Sequence, residues 1–318
     1  MTQPATTTAR PADWPPGATS TVTDLDGPVH WLDLGGPAGA PVLVAVHGLG
    51  GSALNWGLLG PRLAGTHRVL AVDLFGHGGS GLPVSRRGLA ADRRMLYRFL
   101  TEVVGAPVVL LGHSMGGVLA LQHTAEHPDT VDRLVLLAPP VPGGQGRLDV
   151  ALLARRALLR LPGVAAAVRH RLAALSPEQV VDQQLRQATL HPERVPAEAV
   201  AASVAETRRR AGRADAAGAQ AQQWAGIVDT MALLGHAGSW RRTLAAVDVP
   251  VLWLQGAEDP LSRADRAAAL AATRPDWAFR VRAGAGHLLA LEDPAWTAEQ
   301  VDREPARGVG GQPCRETS

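Results

Sequence analysis

The chain has 318 residues, of which 46% are hydrophobic and 19% charged, which fits one large soluble domain or two smaller ones. All 31 basic residues are arginines, the formal net charge is only +2, and no basic face carries interspersed aromatic residues, so no nucleic-acid partner is predicted. The single cysteine, Cys314, excludes an internal disulfide and suits a reducing compartment, and we predict a cytoplasmic protein. No uninterrupted apolar run of about 18 residues predicts a membrane span.

The first half of the chain alternates between strands and helices. Residues 1–20 are rich in Thr, Ala and Pro, lack the apolar core of a signal peptide, and are predicted to be disordered. Two alternating runs around Asp26 and Gly27 then predict a β-hairpin. Further strands are predicted at 41–48, 67–74, 107–112 and 131–138, and helices at 88–104 and 115–127. Because these strands are apolar throughout, the pattern predicts an α/β fold with a mostly parallel central sheet and helices on both faces.

The second half begins with a change of pattern. Residues 141–245 contain no convincing strand, and prolines divide them into four to six predicted helices. The α/β pattern returns in residues 246–302, which therefore complete the core begun by residues 21–140. A helical block inserted between two sheet strands is a candidate cap over the site. Residues 303–318 are rich in Gly, Pro and charge, and are predicted to be a disordered tail.

The strongest local motif is Gly112-His-Ser-Met-Gly-Gly117, which follows a predicted strand and opens a predicted helix. A G-x-S-x-G motif in this context is typical of a nucleophile elbow, in which the sharp turn exposes the serine hydroxyl above the sheet. Glycines are needed because a strand that turns at once into a helix leaves no room for side chains. The motif predicts Ser114 as a nucleophile, and the alternative is a glycine-rich turn with an incidental serine.

A serine nucleophile needs a base and a group that orients the base. His287 follows the last predicted strand, at the sheet edge where α/β proteins place reactive groups. Two acids, Glu258 and Asp259, follow the preceding strand, so the candidates occur along the chain in the order serine, acid, histidine. The alternatives are a surface histidine and a turn residue before Pro260.

Two backbone amides are predicted to form an oxyanion hole. The amide of Met115 directly follows the nucleophile, and we select that of Leu49 from the turn after the strand at 41–48. His47 is interpreted as a brace for this loop.

Taken together, the motifs at 47–50, 73–81, 112–117, 256–259 and 286–287 resemble the α/β-hydrolase superfamily in order and spacing, over about residues 25–300. The resemblance implies an α/β-hydrolase fold with an inserted helical cap, and it favours Asp259 over Glu258 as the triad acid. It also implies that Asp73, Gly76 and His77 belong to a structural turn. One departure is the C-terminal helix, which is long in the family but ends here near Arg303.

The implied reaction is hydrolysis of a carboxylic ester, thioester or lactone through an acyl-enzyme, with no cofactor and no metal. The partner is a small acyl substrate, and the protein is predicted to be a monomer or a homodimer. Gly48, Gly50, Trp224 and Met231 are the candidate substrate-binding residues, although core packing is the favoured interpretation for the last two. Two alternatives are a carbon–carbon bond hydrolase of the ring-fission type and a non-catalytic member that binds small molecules.

Overall fold

The computed structural model describes residues 6–8, 15–85, 87–143 and 175–303. In these residues, nine strands form one sheet: β1 Thr6–Thr8, β2 Thr19–Asp24, β3 Pro28–Asp33, β4 Val42–Val46, β5 Arg68–Val72, β6 Val108–His113, β7 Val131–Leu137, β8 Val251–Gly256 and β9 Ala278–Arg282. The strand order is β1-β2-β3-β5-β4-β6-β7-β8-β9. The pairings of β1 with β2, β2 with β3 and β3 with β5 are antiparallel, and the others are parallel. The predicted mostly parallel sheet is confirmed.

The strand order reverses between β4 and β6, and this reversal positions the site. The two strands are parallel neighbours, with Val46 opposite Gly112. The chain leaves both strands at the same edge, and a crevice opens at such a point because the following connections diverge. The loop after β4 and the turn after β6 therefore face each other.

The described helices are α1 Gly60–Leu63, α2 Leu89–Arg98, α3 Met115–Glu126, α4 Pro177–Ala188, α5 Ala197–Ala211, α6 Ala216–Leu234, α7 Ala237–Ala246, α8 Ala264–Ala271, α9 Leu289–Glu292 and α10 Pro294–Arg303. A π-helical segment, Phe99–Val104, continues α2. Helices α4 to α7 lie between β7 and β8 in sequence, and we call them the helical insert. The described part of residues 141–245 contains no strand. No described helix is long and apolar enough to cross a membrane.

The sheet separates two cores. Alternate residues of β4 point to opposite faces: Val44 and Val46 belong to one buried cluster, and Leu43 and Ala45 to the other. Helices α2, α3, α7 and α8 cover the first cluster, and α1, α9 and α10 cover the second. Val301 of α10 is fully buried. The abbreviated C-terminal helix therefore still covers its face of the sheet.

The ends of the chain differ in part from the sequence-based expectation. Residues 1–20 were expected to be disordered, yet β1 pairs with β2, and β2 already begins at Thr19. The side chain of Ser20 is buried, because its hydroxyl bonds the ring of His30. Helix α10 ends at Arg303, as its sequence indicated. The predicted tail from residue 304 onward, and residues 144–174 of the predicted cap, lie outside the described residues.

Candidate active site

Ser114 lies in the sharp turn between β6 and α3. Its backbone has a φ of 53° and a ψ of −122°, a strained conformation for a residue with a side chain. The chain tolerates the turn because Gly112 and Gly116 face backbone directly. A Cβ atom at Gly112 would lie 2.5 Å from the carbonyl oxygen of Gly116, and one at Gly116 would lie 2.5 Å from that of Val46. The structure thus contains the predicted strand–turn–helix geometry.

The structure brings Ser114, His287 and Asp259 together. Nε2 of His287 lies 2.9 Å from Oγ of Ser114, and Nδ1 lies 2.8 Å from Oδ2 of Asp259. The imidazole and the carboxylate are both buried, whereas Ser114 borders a cavity. With the Nδ1 proton donated to the carboxylate, Nε2 is left as an acceptor for the serine hydroxyl proton. Glu258, the rival acid, instead lies 2.9 Å from Nε2 of His191.

All four hydrogen-bonding positions of the Asp259 carboxylate are occupied. Oδ1 accepts the amides of Leu261 and Ser262, both at 2.8 Å. Oδ2 accepts Nε2 of Gln255 at 2.9 Å, beside the bond from His287. Together these four bonds fix the orientation of the carboxylate. Gln255 was not predicted, because nothing in its local sequence indicates that it reaches four residues onward.

The backbone of His287 is held by contacts from two directions. Its amide donates to the carbonyl of Ala188, the last residue of α4, at 2.9 Å. On either side, the amides of Gly286 and Leu288 donate to the two oxygens of Glu292, both at 2.9 Å. Glu292 was also missed by sequence reasoning, since only the folded loop brings both amides to one carboxylate.

Two further histidines brace the site. Nε2 of His113 donates to the carbonyl of His287 at 2.9 Å, and burial with the nearby His287 ring lowers the pKa of His113 to about 3. His47 has Nδ1 2.7 Å from the carbonyl of Gly48, and its Nε2 accepts the amide of Leu74 at 3.1 Å. Burial lowers the pKa of His47, although Asp73 acts to raise it. Both rings are neutral at pH 7 and act as supports.

The loop after β4 faces the nucleophile. A Cβ atom at Gly48 would lie 2.9 Å from Cβ of Ser114, so only glycine fits this approach. Among the hydrogen bonds of the described residues, the amides of Leu49 and Met115 donate none. Leu49 is itself 45% exposed and borders the cavity. Two unused donors beside a serine hydroxyl are the requirement for an oxyanion hole.

A cavity of about 500 Å³ opens above Ser114 and His287. The helical insert supplies one wall, and the loop after β4 supplies another. Gly48, Gly50 and Trp224, three of the predicted substrate-binding residues, border this cavity. Within the described ranges, no group of three or more His, Cys, Asp and Glu side chains is arranged to hold a metal ion.

The prediction for Met231 is wrong, because this residue packs against the main core and does not border the cavity. Trp224, Ile227 and Met231 share one stripe of α6, and the first two reach the cavity. A helix rises about 1.5 Å per residue, so Met231 lies roughly 10 Å further along the axis than Trp224.

Comparison with known proteins decides the family. The family model described as alpha/beta hydrolase fold matches residues 41–294. The chain belongs to this family. The α/β-hydrolase match contains β4 to β9 and every residue placed at the site above.

Curated relatives share only part of their length with this α/β-hydrolase. One relative is the dihydrolipoyllysine-residue acetyltransferase component of the acetoin cleaving system of Pseudomonas putida. It is 40% identical over a stretch that covers 35% of this chain and 30% of the relative. The sn-1-specific diacylglycerol lipase ABHD11 of Mus musculus is 36% identical over 35% of the chain and 36% of the relative. The chain thus spans about a third of the length of these relatives.

Solved structures align over nearly the whole chain. Naproxen esterase (carboxylesterase NP) of Bacillus subtilis has a TM-score of 0.69 at 21% identity, covering 91% of this chain and 92% of its own. Cfl2 of Burkholderia cenocepacia has a TM-score of 0.72 at 22% identity, and the alignment covers 95% of this chain and 99% of Cfl2. At such identities the similarity establishes the shared fold.

Proposed function

We propose that this α/β-hydrolase is a serine hydrolase that cleaves a carboxylic ester, or a related thioester or lactone, through an acyl-enzyme. The observation that carries the proposal is the hydrogen-bonded series from Ser114 through His287 to Asp259 at the base of an open cavity. The esterase and lipase names among the relatives and structural neighbours support the same reaction class.

In the first step, Oγ of Ser114 attacks the carbonyl carbon of the substrate, and its proton moves to Nε2 of His287. The imidazolium that forms is stabilised by Asp259, whose carboxylate is held in place by three further donors. The carbonyl oxygen becomes an oxyanion and accepts the amides of Leu49 and Met115. Each such donor contributes about 3 kcal/mol to the transition state.

In the second half, Nε2 of His287 gives its proton to the leaving oxygen or sulfur, and the bond from that atom to the carbonyl carbon breaks. Water then enters the cavity, loses a proton to His287, and attacks the acyl group on Ser114. Collapse of this second intermediate returns the proton to Oγ and releases the acid. The strained backbone of Ser114 keeps Oγ at the same position through both halves.

Covalent labelling tests the proposal. A fluorophosphonate probe should modify the wild-type protein once, at Ser114, with loss of fluoride. It should not modify Ser114→Ala, and it should react much more slowly with His287→Ala than with wild type. 4-Nitrophenyl acetate should be hydrolysed by wild type, and kcat should fall by at least about 10⁴-fold in both variants. Folded wild-type protein that neither takes the probe nor hydrolyses the ester would show a binding protein instead.

A further inference from the structure

A buried arginine forms part of the cavity wall. Arg210 lies on α5, its side chain is only 19% exposed, and it borders the cavity that contains Ser114. Nη1 donates to the carbonyl of Gly50 at 3.1 Å, and Nη2 lies 3.5 Å from Oγ1 of Thr207. A guanidinium has five N–H donors, so most of its donors have no close acceptor among the described residues. Gly50, whose carbonyl it bonds, follows Leu49 in the loop that faces the nucleophile.

The charge of Arg210 is only partly compensated. Glu206 is its nearest described carboxylate, at 3.8 Å, which is too long for a hydrogen bond. Both oxygens of Glu206 are already bound by Arg209, at 2.6 and 2.8 Å. The three groups together carry one net positive charge. Burial lowers the pKa of Arg210, with Glu206 acting in the opposite direction.

The rest of the wall separates into an apolar and a polar part. Trp224, Ile227 and Leu261 provide apolar surface for the carbon skeleton of a substrate. The polar part contains five carboxamide side chains: Asn55, Gln184, Gln187, Gln220 and Gln223. The cavity wall thus combines apolar surface with neutral hydrogen-bonding groups, the Arg210 guanidinium and the Glu206 carboxylate, both oxygens of which are bound by Arg209.

We propose that the substrate carries a carboxylate, which binds Arg210 while the scissile carbonyl lies at Ser114. The inference rests on the proposed hydrolase function and adds the substrate class: esters of small molecules that bear a free acid group. A carboxylate offers two coplanar oxygens that match the parallel N–H groups of a guanidinium. It would supply acceptors for the Arg210 donors that have none among the described residues, and it would neutralise the excess charge of the cluster.

Matched ester pairs test the proposal on either side of the scissile bond. On the acyl side, mono-4-nitrophenyl adipate is compared with its methyl ester, in which the distal acid is neutral. On the leaving-group side, 4-acetoxybenzoate is compared with methyl 4-acetoxybenzoate. Wild type should favour the carboxylate in at least one pair by about tenfold or more in kcat/KM, the effect expected of a charge-assisted bond. No preference in either pair would overturn the proposal.

Two variants should move that preference in opposite directions. Arg210→Gln should bring the ratio of kcat/KM within the preferred pair close to one. Glu206→Gln should increase it, because Arg210 then loses its internal competitor. Arg208→Gln is the matched control: this arginine is on the same helix but 63% exposed and does not border the cavity, so the ratio should stay as in wild type. An unchanged ratio in Arg210→Gln would overturn the proposal.

A binding measurement separates failure of this proposal from failure of the hydrolase function. Ser114→Ala protein is titrated with adipate and with its dimethyl ester by calorimetry, without any need for turnover. Adipate should bind, and the Ser114→Ala/Arg210→Gln protein should bind it at least about tenfold more weakly. Binding without ester turnover would overturn only the hydrolase function. Turnover of neutral esters without carboxylate binding or preference would overturn only the carboxylate assignment.

Discussion

Oγ of Ser20 lies 2.7 Å from Nε2 of His30, the same relationship that joins Ser114 to His287. Nδ1 of His30 lies 2.6 Å from Oδ2 of Asp73, so the chain holds a second serine, histidine and aspartate in series. Ser20 is only 4% exposed and does not border the cavity above Ser114. Hydrogen-bond geometry alone therefore does not mark a reactive serine, since a substrate must also reach it.

Ser20→Ala should keep full esterase activity and the full extent of fluorophosphonate labelling. The substitution removes the hydrogen bond between Ser20 and His30, so we expect the free energy of unfolding to fall by about 0.5–1.5 kcal/mol. Denaturant titration measures this loss, and peptide mapping identifies the labelled serine. Probe attached to Ser20 in wild-type protein would contradict the assignment of the nucleophile.

Gln255→Leu should lower kcat by more than tenfold and leave KM nearly unchanged. Gln255 donates to the same oxygen of Asp259 that receives His287, so its loss weakens the orientation of the carboxylate in the transition state. Steady-state kinetics on 4-nitrophenyl acetate gives both constants. The matched control is Gln300→Leu, since Gln300 is also buried but bonds Arg280 on β9. The control should lose stability and keep kcat.

Glu292→Gln should lower kcat by roughly tenfold. A glutamine has only one carbonyl oxygen, so its NH₂ group would face the amide of either Gly286 or Leu288 and leave that amide without an acceptor. An unpaired buried donor costs about 1–3 kcal/mol. The backbone at His287 would then shift away from Ser114. Glu299→Gln, an exposed change on α10, is the control and should have no effect. Equal kcat in wild type and Glu292→Gln would contradict a positioning role.

Asp92 should make the protein less stable as the pH rises. Burial raises the pKa of Asp92 from 3.8 to about 8, with Asp229 adding to the rise, while bonds from Phe75 and Gln222 oppose it. Between these values the unfolded chain releases the proton that the folded protein keeps. The contribution of Asp92 is thus fully present below about pH 3.8 and is lost as the pH rises through about 8.

Asp92→Asn should abolish this loss because its side chain does not ionise. Thermal unfolding measured from about pH 6 to about pH 9 should show a smaller fall in the midpoint for the variant than for wild type. Asp265→Asn, which removes an exposed carboxylate paired with Arg263, should follow the wild-type slope. Parallel slopes for wild type and Asp92→Asn would contradict the raised pKa.

Sequence reasoning located the parts of the site that depend on local chain geometry. Ser114 was found because the glycines of a strand–turn–helix motif are required within a few residues of it. His287 could be selected because it follows a strand, and the ends of parallel strands meet at one sheet edge. The same argument left Glu258 and Asp259 as alternatives, and the family resemblance favoured Asp259. The strands could also be predicted from the sequence, since strands buried on both faces are apolar throughout.

The residues that support the site could not be predicted from the sequence, because their partners are set by tertiary packing. Arg210 meets the carbonyl of Gly50 across 160 residues of sequence. Glu292 meets two amides only after the loop around His287 has closed. Met231 lies on the correct face of α6, but a helical pattern does not tell which turn reaches a cavity. Ser20 was placed in a segment expected to be disordered, because composition does not reveal that β2 begins at Thr19 and pairs with β3.

The carbonyl of Ala188, at the end of α4, makes the helical insert a structural component of the reaction centre. Exchanging this insert for that of a relative would take away the acceptor that anchors the base, together with the Thr189 hydroxyl that bonds Glu292 at 2.8 Å. Chimeric proteins intended to transfer substrate preference therefore need junctions that leave Ala188 and Thr189 in place. Only then would a new set of helices meet an intact proton-transfer apparatus.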